Sequence, residues 1–132
     1  DAEAIFRLGM PVAFDVSLPL AEMEAYVTEV VGRLEREWPA YSRFVFGHLG
    51  DGNLHIIAAG PPSAEARHGI ERSVYEPLAS RGGSVSAEHG IGREKQPWLR
   101  ICRSPAEIAL MQKLKQALDP QGILNRGRVL PG

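Results

Sequence analysis

The hydrophobic positions change period several times along the chain, and each change marks an element. Residues 11–18, PVAFDVSL, alternate roughly between apolar and polar and are rich in β-forming types, which predicts a strand. From Leu20 the spacing lengthens. Leu20, Met23, Val27, Val30, Val31, Leu34 and Trp38 fall on one helical stripe, and Pro39 stops it. SRFVFGHLGDGNLHIIAAG then reads as two strands joined by a tight turn, because Asp-Gly suits turn positions that need positive φ.

GPPS breaks the pattern, and residues 63–81 recover helical spacing through Ala66, Ile70, Val74 and Leu78 before Gly82 and Gly83 close the helix. GSVSAEHG predicts a short last strand running into a glycine-rich turn. In SPAEIALMQKLKQAL, Ser104 is placed as N-cap, Pro105 takes the first helical position and Glu107 stands three after the cap, which is a capping box. Asp119-Pro120 ends that helix and leaves an irregular tail. The expected fold is therefore α+β: a ferredoxin-like β-α-β-β-α-β antiparallel sheet with helices on one face over residues 1–100, then a C-terminal helix and tail over 101–132.

Composition narrows the function classes. A chain of 132 residues, 44% hydrophobic and 23% charged, suits one soluble domain with one core. A net charge of −1 gives no electrostatic footprint for nucleic acid. No apolar run reaches the length of a membrane helix and no signal-type leader is visible, so a cytoplasmic location is expected. The chain opens on Asp1 rather than Met, from which we expect that the natural N-terminus lies elsewhere. Cys102 is the single cysteine, which leaves no internal disulfide and no multi-cysteine zinc site.

The chemistry-bearing residues cluster around glycine. With Asp51 and Gly52 as the two central turn residues, His48 faces His55 across the hairpin, and directly opposed residues share a face. Two imidazoles so placed can ligate one metal ion, and Glu88, at the end of another predicted strand, is the natural third ligand. Two histidines and a carboxylate leave coordination positions open, as in catalytic sites, with zinc foremost and manganese or ferrous iron as the other candidates. His89 would then be the general base, if Gly90 and Gly92 let the backbone turn there. The plainer reading makes the glycines turn residues and Arg93, Lys95, Arg126 and Arg128 solvated surface charges. Two other functions stay open at this point: a stand-alone ferredoxin-like binding or assembly module, and a small metal-dependent hydrolase.

GHLGDGNLH, SVSAEHGIGREK and LKQALDPQGILNRGRVLP together resemble the signature stretches of the FAD-linked oxidase C-terminal domain, a family that includes glycolate oxidase, D-lactate dehydrogenases and D-2-hydroxyglutarate dehydrogenase. The resemblance implies oxidation of a D-2-hydroxy acid to the 2-oxo acid with reduction of FAD. It implies a divalent metal on His48, His55 and Glu88, His89 as base, and Asn125 near the flavin. It also implies that FAD is held chiefly by an N-terminal domain of the same longer polypeptide, absent from these residues. The present domain alone should then be inactive, with an electron acceptor that could draw the enzyme to a membrane surface, and a homodimer as a further association. Two departures stand out: Ala13 where relatives often place a lysine for the substrate carboxylate, and Arg126 and Arg128 where they commonly have proline and lysine.

Overall fold

Alternation along the strands gives the sheet two unlike faces. The computed structural model describes residues 9–130. Strands β1 (Met10–Ser17), β2 (Ser42–His48) and β3 (Asn53–Gly60) pair antiparallel in the order β1-β3-β2, so the last strand of the three lies at the centre. One face carries Phe14, Val16, Leu54, Ile56 and Ala58, all buried beneath helices α1 (Met23–Glu37) and α2 (Ala64–Tyr75). The other face carries Asp15, Asn53, His55, Phe46 and His48, because side chains two apart along a strand point the same way.

The predicted α1 stripe is met at Met23, Val30 and Leu34, which are buried. Leu20 instead stays exposed in a 3-10 turn, Leu20–Glu22, that precedes the helix. Tyr26, which is not part of the expected stripe, also belongs to the core. Its hydroxyl donates to the Val74 carbonyl at 2.8 Å and ties α1 to α2, so the phenol is buried at no loss of hydrogen bonding. The second helix is α-helical only to Tyr75 and continues as a 3-10 segment, Glu76–Arg81, as expected where Pro77 supplies no N–H. Gly82 closes it in the left-handed conformation.

The α+β antiparallel sheet with helices on one face is as expected, but its last strand shrinks to a single bridge, Ser17 with Ser84. Beyond Ser84 the Ala87 N–H is shared between the Asp15 carbonyl at 3.3 Å and the Asp15 carboxylate, and the N–H groups of Glu88 and His89 turn wholly onto that side chain, so the ladder goes no further. After a four-residue helix α3 (Leu99–Cys102), helix α4 (Pro105–Leu118) starts with the expected capping box: Glu107 N–H donates to Ser104 Oγ at 3.3 Å, and Ser104 N–H to Glu107 Oε2 at 2.8 Å. Cys102 packs against the core at the end of α3 and has no histidine beside it in the contacts described. Helix α4 buries none of its residues and leaves Leu110, Leu114 and Leu118 exposed. Among the described residues no helix is long and apolar enough to cross a membrane.

Asp119 organises the turn after α4, accepting the N–H groups of Ile123 and Leu124 at 3.0 Å each and pairing with Lys115. The hydrogen bond from Lys115 holds the Asp119 carboxyl below its usual range, against the opposing effect of burial. A carboxyl depressed in the folded state stabilises above its unfolded pKa and loses that contribution as pH falls. Protection of the Ile123 and Leu124 amides from hydrogen exchange should therefore decline below roughly pH 4, earlier than that of the sheet amides. Tyr26→Phe should lower stability by about 1 kcal/mol in urea unfolding, since it leaves the buried Val74 carbonyl without its donor.

Candidate active site

The hairpin connection decides which side chains can meet. Leu49–Asp51 form a 3-10 turn and Gly52 follows at φ 72°, so the link between β2 and β3 is longer than the two-residue Asp-Gly turn expected. In the resulting register His48 lies opposite Asn53, and Phe46 lies opposite His55. The direct His48–His55 pairing is thus corrected. Its cause is local. Gly52 packs its α-carbon against the Leu18 carbonyl, and the Leu18 N–H donates to Gly52 O at 3.0 Å. Anchored in this way, Gly52 cannot serve as a central turn residue, and the connection is centred one residue earlier than Asp-Gly. Because the register moves by an even number of residues, His48 and His55 still share the open face. They are diagonal neighbours, for which the spacing is roughly 7–8 Å.

His55 occupies the middle of a row that runs Asp15, His55, Phe46 across the sheet. Its ring stacks on Phe46 at 5.3 Å between centroids and stands 6.0 Å from the ring of His89. His89 reaches this row because the chain bends around the Asp15 carboxylate. That carboxylate accepts the N–H groups of Ala87 at 3.1 Å, Glu88 at 3.1 Å and His89 at 2.7 Å, with the Ser86 hydroxyl at 3.2 Å. Lys95 Nζ lies 3.5 Å away, and His89 Nδ1 also lies at 3.5 Å. Burial opposes ionisation of Asp15, but the backbone donors of His89 and Glu88, with the Lys95 and His89 charges, outweigh it and bring the pKa down to about 2. A buried carboxylate so fully matched stays ionised in neutral solution.

Glu88 comes to the same face by another contact. Its Oε1 accepts from Asn53 Nδ2 at 2.7 Å, and Asn53 is the residue opposite His48. The buried Oδ1 of Asn53 has no hydrogen-bond partner. The donor types of His48, His55 and Glu88 fit a divalent ion. As they stand, no three histidine, cysteine or acidic side chains among the described residues are close enough together to hold one. Glu88 is engaged with Asn53, so a metal site here requires that contact to open.

A cavity of about 480 Å³ covers the His55 row, walled by Ala13, Phe46, Ile57, His89, Lys95 and Arg128 among others. Ala13 and Ile57 are cross-strand partners and form its apolar end. Lys95, read from the sequence as a solvated charge, is instead only 14% exposed and committed to Asp15 and Ser86. Arg128 reaches the wall because Val129 N–H donates to Gly92 O at 2.7 Å, pinning the tail to the glycine-rich turn. Val129 sits there at φ 67°, a strained conformation for a β-branched residue. Asn125 is exposed and does not line the cavity.

The residue that sequence reading passed over is Asp15. Its signal was faint: one acidic residue at an outward position of an otherwise apolar strand, AFDVSL, which looks like an ordinary solvated side chain. Asn53 was missed for the same reason, as a turn-flanking polar residue. Both are buried, at 2% and 3% exposure, because the 84–95 segment folds over that part of the sheet.

Comparison with known proteins supplies the context of this face. The family described as FAD linked oxidases, C-terminal domain, matches residues 6–129. The mitochondrial D-2-hydroxyglutarate dehydrogenase of Rattus norvegicus is 42% identical over 131 residues, covering 98% of this chain and 24% of that protein. The mitochondrial D-2-hydroxyglutarate dehydrogenase of Arabidopsis thaliana is 41% identical over 130 residues, covering 98% and 23%. The D-2-hydroxyglutarate dehydrogenase of Stutzerimonas stutzeri is 34% identical over 125 residues, covering 90% and 27%. The chain thus spans about a quarter of the length of these curated relatives.

The hairpin geometry makes a direct prediction. Gly52→Ala forces an L side chain into positive φ and against the Leu18 carbonyl, so it should destabilise the protein by about 1–3 kcal/mol in urea unfolding. Gly50→Ala, whose added carbon meets nothing, should change stability by less than about 0.5 kcal/mol.

Proposed function

The chain belongs to the family of FAD-linked oxidases, C-terminal domain, and from that premise we propose that it forms the substrate-side half of an FAD-dependent dehydrogenase that oxidises a D-2-hydroxy acid to the 2-oxo acid. The observation that carries this reading is the convergence of His55 and His89 on one cavity whose walls also bring a cation, Arg128, and an apolar end. A 2-hydroxy acid has the matching parts: a carboxylate, a hydroxyl with a proton to give up, and a carbon substituent.

In this reading Arg128 meets the substrate carboxylate; its guanidinium makes no hydrogen bond or ion pair with other described side chains. His89 takes the hydroxyl proton on Nε2, since its Nδ1 is turned toward Asp15. The substituent on C2 lies toward Ala13 and Ile57. Bound FAD would supply the two-electron acceptor for the hydrogen leaving C2. We place its principal site on a domain of the same longer polypeptide, with Asn125 on the side that meets it. The exposed leucines of α4, with Ile123 and Leu124, support that domain as the partner covering this surface.

A divalent ion on His48, His55 and Glu88 is part of the proposal, zinc first, and would polarise the substrate oxygens. Its support is the shared face of the two imidazoles, the closeness of Glu88 to Asn53, and the unpaired Asn53 oxygen beside them.

Two measurements test the reading. In the full-length flavoprotein, His89→Gln should lower kcat on a D-2-hydroxy acid by at least about 100-fold with flavin content retained; unchanged turnover overturns the assignment of the base. Elemental analysis of protein prepared without chelator should find about one divalent ion per polypeptide, lost in a His48→Ala/His55→Ala double variant. Equal metal content in both proteins overturns the metal assignment and leaves the oxidation itself to the kinetic test.

A further inference from the structure

We infer that Asp15 is a positioning residue for the active site: its buried carboxylate bends the 86–89 segment so that Glu88 and His89 both reach the open face of the sheet. The inference rests on the reading of His89 as base given above, and it assigns a role to a buried residue that acts through the backbone carrying the base.

A regular strand continuing from Ser84 would send Glu88 and His89 to opposite faces, because successive side chains alternate. Instead the peptide N–H groups of three consecutive residues, Ala87, Glu88 and His89, all point at one carboxylate. No neutral side chain of similar size can accept so many donors, since an amide offers only one oxygen. Ser86 completes the cradle from the other side, donating to Asp15 Oδ2 at 3.2 Å in competition with the Gly90 carbonyl at 3.0 Å. Lys95, 14% exposed, lies against both Ser86 Oγ and Asp15 Oδ2 and balances the buried charge.

Asp15 itself is fixed by the sheet. It pairs with His55 in the β1–β3 register, so the carboxylate that holds His89 and the imidazole nearest His89 stand on adjacent strands at one level. The 6.0 Å between the two rings is thereby set by strand spacing and by the cradle together, not by a contact between the rings alone. A side chain otherwise 67% exposed, as His89 is, has little else to hold it in one orientation.

The test compares Asp15→Asn, His89→Gln and wild type in the full-length flavoprotein. Asp15→Asn should speed hydrogen exchange of the Ala87, Glu88 and His89 amides by about tenfold or more while α1 and α2 amides keep their protection. It should also lower kcat by about 10–100-fold, with KM changed less than about threefold and flavin content unchanged. Asp15→Glu, which retains both carboxylate oxygens, should recover part of the lost amide protection and part of kcat. A general loss of protection in Asp15→Asn, tracking a loss of bound flavin, would show a merely structural role and overturn the inference. Unchanged kcat in Asp15→Asn beside a collapsed kcat in His89→Gln would overturn it too. Unchanged kcat in His89→Gln overturns the base assignment instead, and the positioning of the turn is then decided by the amide exchange alone.

Discussion

One buried carboxylate sets the form of the open face. Asp15 lies on an edge strand, where the ladder could have gained a fourth member, and it takes the hydrogen-bond donors that the fourth member would have used. An ion withdrawn from water is tolerated only when its lone pairs are filled and a counter-charge is near. Ser86, three peptide N–H groups and Lys95 meet both conditions. The segment 84–95 therefore lies over the sheet as a cover, and it is this cover that gives the cavity its second wall.

The two faces of the sheet obey different rules. Beneath, packing decides: Val16, Ile56, Tyr26, Val30, Ile70 and Val74 are fully enclosed, and the single polar side-chain atom among them is satisfied by Val74. Above, charge and hydrogen bonding decide, and the residues grade from polar near the hairpin to apolar at Ala13 and Ile57. A ligand entering from this side meets a directional surface, which is the property a site needs if it is to distinguish the two ends of a small molecule.

How much of this was legible depended on range. Periodicity and caps, which are local, located β1, both long helices under the sheet, the hairpin arms and the Ser104–Glu107 box, since each rests on residues a few positions apart. The hairpin register was not legible to the same degree: an Asp-Gly pair suggests a two-residue turn, whereas Leu18, thirty-odd positions away, anchors Gly52 and moves the pairing. The last strand failed for a similar reason. SVSAEHG has β-forming residues, but the partner that decides its fate is Asp15, and no pattern within the segment reveals a carboxylate contributed from more than seventy positions upstream. The candidate residues His55, Glu88 and His89 were visible as types in a glycine-rich setting; their mutual arrangement was not.

The long separation between Asp15 and its donors also orders events in time. Helices α1 and α2 and the β2–β3 hairpin can begin to form from neighbouring residues, while the cradle has no acceptor until β1 has docked against β3. The turn that presents Glu88 and His89 must then be among the late parts of the domain to settle. A chain arrested before that step would already own its core, its helices and both hairpin imidazoles, and would still lack a folded binding wall.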